Sequence, residues 1–233
     1  MRKPLENHNI AVAMPVYDGK IPVTTTSSLI QLSHMIEACG GKMSFLSQVG
    51  VAIVQIARNQ LLSEVIANPS ITGVLMIDGD IYFDAIDAMR LIAASGKHDI
   101  MAGLYRAKTE TQDLYFVDPD TEASPPYDEY GIMPCKRIPL GFAYVKRHVL
   151  QKLWDDHEGR MFNSGNIICR NVFDIVYDAE NRTLTGEDFV FCDKVRAAGF
   201  TIGALTDIRL AHIGIKAWAG SFKEGFERGF AEE

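Results

Sequence analysis

Two carboxylates separated by one glycine, Asp78 and Asp80, follow the short apolar stretch Gly73–Ile77. An apolar run of this length, with Pro69 before it and an Asp-Gly-Asp turn after it, predicts a strand buried on both faces. Acids at the carboxyl end of such a strand lie where open α/β sheets bind ligands. Because unpaired carboxylates beside a core are unfavourable, they need a cation, and a divalent metal that also binds ligand phosphates is the simplest one.

Three other interpretations of these acids compete with a metal or phosphate site. A calcium loop is excluded, because it needs oxygen ligands and a glycine where the chain has Tyr82 and Ala85. A phosphatase with an aspartyl nucleophile usually carries its acids after the first strand, whereas this strand is predicted to be the third, so the phosphatase stays only as a minor option. A plain solvated turn stays open, since Asp-Gly favours turns for backbone reasons alone.

Composition is typical of a soluble globular enzyme with one sizeable core. The chain has 233 residues, of which 47% are hydrophobic and 23% charged. The first nine residues are polar, and no later segment is apolar for long enough to cross a bilayer, so we expect a cytoplasmic protein without membrane contact. The four cysteines are far apart and are expected to be reduced core thiols: Cys39, Cys135, Cys169 and Cys192.

The formal net charge of −7 argues against a protein held to nucleic acid mainly by its overall charge. Five of the acids lie between Asp118 and Glu129, a stretch without Lys or Arg, so the rest of the chain carries little net charge. A local basic groove is therefore compatible with the sequence. The short basic clusters that could form it are Lys136-Arg137, Lys146-Arg147-His148, Lys194 with Arg196, and Lys216 with Lys223.

Strands alternate with helices in the first half of the chain, which predicts a parallel sheet with right-handed crossovers. The predicted strands are Asn9–Val16, Lys42–Gln48, the stretch that ends in Asp78 and Asp80, and Asp99–Gly103. Three helices are predicted. The first begins near the N-cap candidates between Thr24 and Ser28, the second covers Val51–Ala67, and the third follows an N-cap at Asp84.

The second half is less regular. Residues 106–136 are polar and rich in proline, which predicts a long substrate-covering loop. After it the pattern predicts a strand at Ile138–Lys146, a helix at His148–Asp156, an antiparallel pair within Met161–Tyr177, a helix from Thr185 to Ala198, strands at Thr201–Ala204 and Leu210–Gly214, and a helical tail.

Each remaining candidate has an ordinary structural explanation beside its functional one. Arg58 and Asn59 are favoured by pattern alone to lie on a solvated helix face. Thr185-x-x-Asp188 is typical of a capping box, although a carboxylate at a helix start could instead act as a general base. His212 lies between apolar residues, where a histidine is more often a hydrogen-bonded core residue than a ligand. Arg106 follows the fourth strand and suits a phosphate or carboxylate.

The order of several short motifs resembles that of glycosyltransferases with the GT-A fold, most closely the compact forms of large DNA viruses and phages. The resemblance covers nearly the whole chain, from Ile10 to Trp218. It is carried by Met14-Pro-Val-Tyr-Asp18, Ala57-Arg-Asn59, Leu75-Met-Ile-Asp-Gly-Asp-Ile81, Gly103-Leu-Tyr-Arg106, Leu140-Gly-Phe-Ala143, Gly186-Glu-Asp-Phe189 with Cys192, and His212-Ile-Gly214.

The resemblance implies one α/β domain of GT-A, Rossmann-like type over residues 1–233, with a mostly parallel central sheet flanked by helices and a small antiparallel addition. Residues 1–104 would form the nucleotide-binding half and residues 105–233 the acceptor-side half. It also implies Mn²⁺ or Mg²⁺ bound by Asp78, Asp80 and His212, with Asp188 as base and Glu187 beside it. The implied donor-binding residues are Pro15, Val16, Tyr17, Asp18, Arg58, Asn59, Asp78, Gly79, Asp80, Tyr105, Arg106 and Gly141.

The implied activity is metal-dependent transfer of one sugar from a nucleotide diphosphate sugar, a UDP-sugar by preference, to a hydroxyl group. The Gln/Arg-x-x-Arg-Trp motif of processive synthases is missing around Trp218, which favours a single transfer. Inversion is favoured, although retaining enzymes share the fold, and the acceptor could be a glycan or a hydroxymethylated pyrimidine of phage DNA. The alternatives are a sugar nucleotidyltransferase, for which Val16–Lys20 is a poor match, and a non-catalytic nucleotide-sugar binding module.

Overall fold

The computed structural model describes residues 3–110, 113–214 and 217–231. Its strands are β1 (Asn9–Val16), β2 (Lys42–Val49), β3 (Gly73–Ile77), β4 (Ile81–Tyr82), β5 (Ile100–Gly103), β6 (Asp118–Pro119), β7 (Ile132–Arg137), β8 (Phe142–Lys146), β9 (Met161–Ser164), β10 (Ile167–Arg170), β11 (Val176–Asp178), β12 (Thr183–Thr185), β13 (Ile202–Leu205), β14 (Leu210–Ile213) and β15 (Ala217–Gly220). Its helices are α1 (Val23–Ala38), α2 (Val54–Ala67), α3 (Ala85–Ala94), α4 (Arg147–Asp156), α5 (Glu187–Ala197) and α6 (Phe222–Ala231).

The central sheet in the described part of the chain has eight strands in the order β2-β1-β3-β8-β5-β13-β7-β6. β1, β2, β3, β5 and β13 run in one direction, and β8 lies antiparallel between β3 and β5. The carboxyl ends of β1, β3 and β5 therefore meet at the edge where β8 begins. In that register Ile77 pairs with Phe142, which brings the residues after β3 next to those before β8.

Two hydrophobic clusters cover the two faces of this sheet. One cluster contains side chains of α2, α4 and α5, such as Leu61, Leu150 and Val195. The other contains side chains of α1 and α3, such as Leu32 and Leu91. β3 is buried on both faces, as the apolar run predicts, and each aliphatic side chain of this kind contributes about 1.5–3 kcal/mol on burial.

Small antiparallel sheets complete the fold. β9 pairs with β10 and β11 with β12, while β4, β14 and β15 form a three-stranded sheet. In the last of these, His212 of β14 pairs with Ile81 of β4, and Ile213 N donates a hydrogen bond to Asp80 O at 2.7 Å. The main chain thus carries His212 to the turn that follows β3.

Several predicted elements are confirmed. Strands are found at all four positions predicted in the first half, and Asp84 caps α3 by accepting a hydrogen bond from Ile86 N at 2.8 Å. The four cysteines are free thiols, and three of them are buried. The predicted fold class, a mostly parallel α/β sheet flanked by helices with a small antiparallel addition, is also confirmed. Within the described residues, every helix is too short or too polar to cross a bilayer.

Three expectations need correction. α1 begins at Val23 after Pro22, without a side-chain cap, so the serine and threonine N-cap candidates lie inside the helix. The predicted loop 106–136 contains β6 and most of β7, and β7 pairs with β13 inside the central sheet. The predicted strand from Ile138 begins only at Phe142, because the residues before it form the turn into β8. Residues 111 and 112 of the predicted loop lie outside the described residues.

Candidate active site

The two acids after β3 contact different partners. Asp78 Oδ1 accepts a hydrogen bond from Arg58 Nη2 at 2.9 Å. Asp80 Oδ2 lies 2.6 Å from Lys108 Nζ and 3.3 Å from His212 Nε2. The single glycine between the acids therefore places their carboxylates in two separate clusters.

The first cluster consists of Arg58 and three carboxylates. Besides Asp78, the guanidinium group contacts Glu187 Oε1 at 2.8 Å and forms an ion pair with Asp188 Oδ1. Arg58 is 5% exposed, whereas the three acids are 16% to 29% exposed. One buried cation thus joins the residue after β3 to the first turn of α5.

Arg58 is buried because α2 is covered on two sides. The helix packs against β1 and β2 on one side and against β10 on another, so that residues 57 to 62 are all buried. The solvated helix face that the pattern favours for Arg58 and Asn59 is therefore wrong. A helix with one covered side shows one apolar stripe, whereas a helix covered on two sides places polar residues inside, where they need partners.

Asn59 finds its partners in the backbone. Its Oδ1 accepts hydrogen bonds from Val172 N and Phe173 N, each at 3.0 Å, and its Nδ2 donates to Phe173 O at 2.8 Å. These contacts fix the chain after β10 against α2. The structure therefore does not bring Asn59 together with the residues after β1 and β3.

The capping box predicted for Thr185 and Asp188 is not formed. Gly186 is the N-cap of α5 without a side-chain hydrogen bond, and Thr185 belongs to β12. Instead, Asp188 Oδ2 accepts a hydrogen bond from Leu140 N at 3.2 Å while Oδ1 contacts Arg58. The carboxylate of Asp188 is consequently turned away from its own helix and towards the residues before β8.

Electrostatics set Asp188 apart from an ordinary aspartate. Burial raises the pKa of its carboxyl group to about 6, and the nearby charges of Asp78 and Glu187 act in the same direction, against the opposing effect of Arg58. For Arg58, burial opposes the charged form, but Asp188, Asp78 and Glu187 raise the guanidinium pKa above its usual range. Arg58 therefore stays charged, and because one cation faces three acids, Asp188 takes up a proton more readily than usual.

The second cluster surrounds Asp80. Partial burial by itself would raise the pKa of this carboxyl group, but hydrogen bonds from His212 and Lys108 lower it to about 2. His212 Nδ1 also lies 3.3 Å from Arg106 O. Because a carbonyl oxygen only accepts hydrogen bonds, Nδ1 carries a proton, and Nε2 is the ring nitrogen directed towards Asp80.

Asp80 also lines an open cleft of about 560 Å³ at the carboxyl end of β1. The aromatic ring of Tyr17 is largely exposed at this cleft, and Asp18 Oδ1 accepts a hydrogen bond from Lys20 N at 3.0 Å in the turn below it. The lining residues are Pro15, Val16, Tyr17, Asp18, Lys20, Ile21, Pro22, Gly79 and Asp80. Five of the residues that the resemblance implies as donor contacts outside the two clusters are thus brought together: Pro15, Val16, Tyr17, Asp18 and Gly79.

Tyr105 and Gly141 lie between the two clusters. A Cβ atom at Gly141 would lie 2.6 Å from Asp78 Oδ2 and 2.5 Å from the hydroxyl oxygen of Tyr105, so only glycine fits there. The ring of Tyr105 packs edge-on against that of His212, with 5.1 Å between the centroids. Burial raises the pKa of Tyr105 well above its usual value, and Asp78 and Asp188 add to this effect, so the hydroxyl stays protonated.

Arg106 is turned towards its own segment. Its Nε lies 2.9 Å from Asp113 Oδ1, and Nη2 lies 3.5 Å from Thr109 O. Arg106 is not among the residues that line the cleft beside Tyr17. Its backbone carbonyl is nevertheless part of the site, since it orients His212.

The predicted metal ligands meet only in part. Within residues 3–110, 113–214 and 217–231, no group of three or more His, Cys, Asp or Glu side chains is arranged to hold a metal ion. Asp80 and His212 do lie together, and one carboxylate and one imidazole suit a divalent cation that takes its other ligands from phosphate and water. Asp78 contacts Arg58 instead.

Lys108 and Lys20 are site residues that the sequence did not indicate. Lys108 belongs to a polar segment and contacts an acid 28 positions away in sequence, and no local pattern marks such a pair. Lys20 follows the predicted end of β1, and only the position of that strand in the sheet could have placed it at the cleft.

Comparisons with known proteins support the fold. The chain is similar to A197 from STIV, with a TM-score of 0.55, 16% sequence identity, and coverage of 93% of this chain and 91% of that one. It is also similar to S. aureus TarS 1-349 in complex with UDP-GlcNAc, with a TM-score of 0.43, 14% identity, and coverage of 86% and 56% respectively. A third similar structure is 4-diphosphocytidyl-2C-methyl-D-erythritol synthase from Anaerococcus prevotii, with a TM-score of 0.39, 9% identity, and coverage of 69% and 79%.

Of these three, A197 has a TM-score above 0.5 and matches almost from end to end, so it carries the comparison of folds. No protein-family model matches the sequence, and no curated protein matches it. Together with the order of the strands, the structural similarity agrees with the mostly parallel α/β fold that the sequence predicts.

Proposed function

We propose that this chain transfers a single sugar from a nucleoside diphosphate sugar, with a UDP-sugar as the first choice, to an acceptor hydroxyl group. One observation carries the proposal: the stretch Asp78-Gly-Asp80 borders both clusters. Asp80 lines the cleft at the end of β1, and Asp78 shares Arg58 with Asp188. A donor held in the cleft would thus lie close to an acid suited to proton transfer.

In this proposal Asp188 is the general base. Its raised pKa suits a group that must be ionised near neutral pH and still bind a proton well. The acceptor hydroxyl gives its proton to Asp188 as its oxygen bonds to the sugar carbon, and the bond to the diphosphate breaks on the opposite face, which inverts that carbon. Arg58, which also contacts Glu187, holds Asp188 in place.

Asp80 and His212 are the proposed ligands of Mn²⁺ or Mg²⁺. When bound there, a divalent cation would neutralise negative charge on the leaving diphosphate. Tyr17 offers an exposed ring for the nucleobase, and Tyr105 offers a hydroxyl group that stays protonated and can donate. The acceptor is proposed to be a glycan hydroxyl or a hydroxymethylated pyrimidine in DNA.

A sugar nucleotidyltransferase is a second candidate. Although Val16–Lys20 is a poor match to the loop of such enzymes, Lys20 lines the cleft, where its charge suits the phosphates of a nucleoside triphosphate. The two candidates differ in products. The sugar transferase releases a nucleoside diphosphate from a nucleotide sugar, whereas the nucleotidyltransferase releases pyrophosphate from a triphosphate and a sugar phosphate. A non-catalytic binding module would release neither.

The first test is calorimetric binding of UDP, GDP, CDP and ADP with and without Mn²⁺. We expect one nucleotide to bind to the wild type in the presence of Mn²⁺ and to bind at least tenfold more weakly to Asp80→Asn. Asp156→Asn is the matched control, because Asp156 pairs with Lys152 on the surface of α4 and is not among the lining residues of the cleft. If no nucleotide bound, or if Asp80→Asn bound as tightly as the wild type, the proposal would be wrong.

A further inference from the structure

Lys108 is held against the carboxylate that faces the cleft. Its Nζ lies 2.6 Å from Asp80 Oδ2, the same oxygen that His212 Nε2 approaches at 3.3 Å. Its aliphatic stem lies over Gly214, where a Cβ atom would be 3.6 Å from Lys108 Cδ and Cε. The next residue is fixed as well, because Trp218 Nε1 donates to Thr109 O at 3.1 Å.

The imidazole of His212 prepares this place for a cation. Because Nδ1 carries a proton towards Arg106 O, Nε2 is the ring nitrogen that lies next to Asp80 Oδ2, and this nitrogen binds a metal ion when it carries no proton. A carboxylate oxygen attracts positive charge, and Lys108 Nζ supplies it on the same Asp80 oxygen that His212 approaches. A hydrogen bond from the second ring nitrogen to a backbone carbonyl is also the usual way in which proteins orient a metal-binding histidine.

We propose that Lys108 is a tethered counter-ion of Asp80 that a divalent cation displaces, and that the displaced ammonium group then binds the diphosphate. Two cations on one carboxylate oxygen repel each other, so metal binding drives Lys108 away from Asp80. Asp80 lines the cleft, so the released ammonium group lies at the rim of the place proposed for the donor. Lys108 is about one-third exposed and has room to move.

This inference deepens the proposed function, since its anion is a diphosphate group. It can nevertheless be tested with neither a nucleotide nor a sugar. Failure of nucleotide binding or transfer would reject the proposed function, whereas the measurements below concern only Lys108, the cation and the anion.

The cation step is tested by titrating the protein with Mn²⁺ and following free Mn²⁺ by electron paramagnetic resonance. We expect Lys108→Met to bind Mn²⁺ roughly threefold to fivefold more tightly than the wild type, which is the upper part of the range that a partly exposed charge pair supports. Lys20→Met is the matched charge control, since Lys20 lines the same cleft without contacting Asp80, and we expect a change below about twofold. Asp80→Asn should abolish tight Mn²⁺ binding, both alone and when combined with Lys108→Met.

The anion step is tested by calorimetric binding of pyrophosphate at saturating Mg²⁺. Here we expect the opposite sign: Lys108→Met should bind pyrophosphate roughly threefold or more weakly, because one charge-assisted hydrogen bond is lost. Lys108→Arg should restore most of this affinity. Equal Mn²⁺ affinity in the wild type, Lys108→Met and Lys20→Met would overturn the proposal, and so would pyrophosphate affinity that does not fall in Lys108→Met.

Discussion

Arg58 Nη2 donates a hydrogen bond to Asp78 Oδ1 at 2.9 Å, although Asp78 belongs to the motif whose spacing predicts a metal ligand. The same guanidinium group contacts Glu187 and Asp188 at the start of α5. A cation supplied by the chain itself therefore neutralises the acid after β3. This arrangement leaves Asp80 as the acid of the motif that faces the cleft.

The first prediction concerns the stability that Arg58 provides. Removing its charge in Arg58→Met leaves three neighbouring carboxylates without their buried cation, and we expect the free energy of unfolding to fall by about 3–5 kcal/mol. Urea unfolding at pH 7 measures this change. Arg137→Met is the control, because Arg137 pairs with Asp193 at the surface and its loss should cost less than about 1 kcal/mol. Similar effects of the two substitutions would contradict the role given to Arg58.

Much of the fold could be predicted because local patterns specify it. The strand before Asp78 is recognisable from its continuous apolar residues, and Asp84 is recognisable as an N-cap from its position before an apolar stripe. Such patterns do not specify strand direction, so they do not predict that β8 runs antiparallel to its neighbour β3. β7 was missed because Pro134 cannot donate to a ladder and is usually found at sheet edges.

The site could be predicted less completely, because its contacts join residues that are distant in sequence. Arg58 and Asp188 are 130 positions apart, and Lys108 and Asp80 are 28 apart. The sequence motifs indicated Asp78, Asp80 and Asp188 as site residues, but they did not indicate which acid would contact an arginine, a lysine or a histidine. That choice depends on the burial of α2 and on the pairing of β14 with β4.

The second prediction concerns catalysis. If Asp188 is the base, Asp188→Asn should lower the rate of sugar transfer by about 10²–10⁴-fold, while nucleotide affinity should stay within about twofold. Single-turnover kinetics and calorimetry measure the two quantities separately. For the wild type, transfer should decrease as the pH falls below about 6, because a protonated Asp188 cannot accept a further proton. A folded Asp188→Asn protein with normal transfer would refute this role.

The third prediction concerns stability and pH. The pKa of Asp188 is about 6 in the folded protein and 3.8 for an ordinary aspartate, so the folded state retains this proton over that interval. A raised carboxyl pKa stabilises the folded state at low pH, and this contribution is lost as the pH rises from about 4 to about 6. Asp188→Asn should therefore gain stability relative to the wild type over that range, by up to about 3 kcal/mol.

Urea unfolding at several pH values tests this sign, with Asp178→Asn as the control. Hydrogen bonds from Asn181 lower the pKa of Asp178, so its stabilising effect is lost as the pH falls. Asp178→Asn should therefore lose stability relative to the wild type as the pH rises towards 3.8, and should change little between about pH 4 and pH 6. If both substitutions showed the same dependence on pH, the raised pKa of Asp188 would not be supported.

The fourth prediction concerns Gly141, which separates the two clusters. An alanine there would place its methyl group within 2.6 Å of both Asp78 Oδ2 and the Tyr105 hydroxyl oxygen, so one of these side chains must move. We expect Gly141→Ala to lower the free energy of unfolding by about 1–3 kcal/mol and to weaken nucleotide binding. Gly159→Ala is the control, because no atom lies within 4 Å of the added methyl group, and its effect on stability should be about 0.5 kcal/mol or less. Unchanged stability and nucleotide affinity in Gly141→Ala would contradict this prediction. Asp78 and Tyr105 could then move apart without loss of stability or binding, and their close packing against Gly141 would not be what fixes the site.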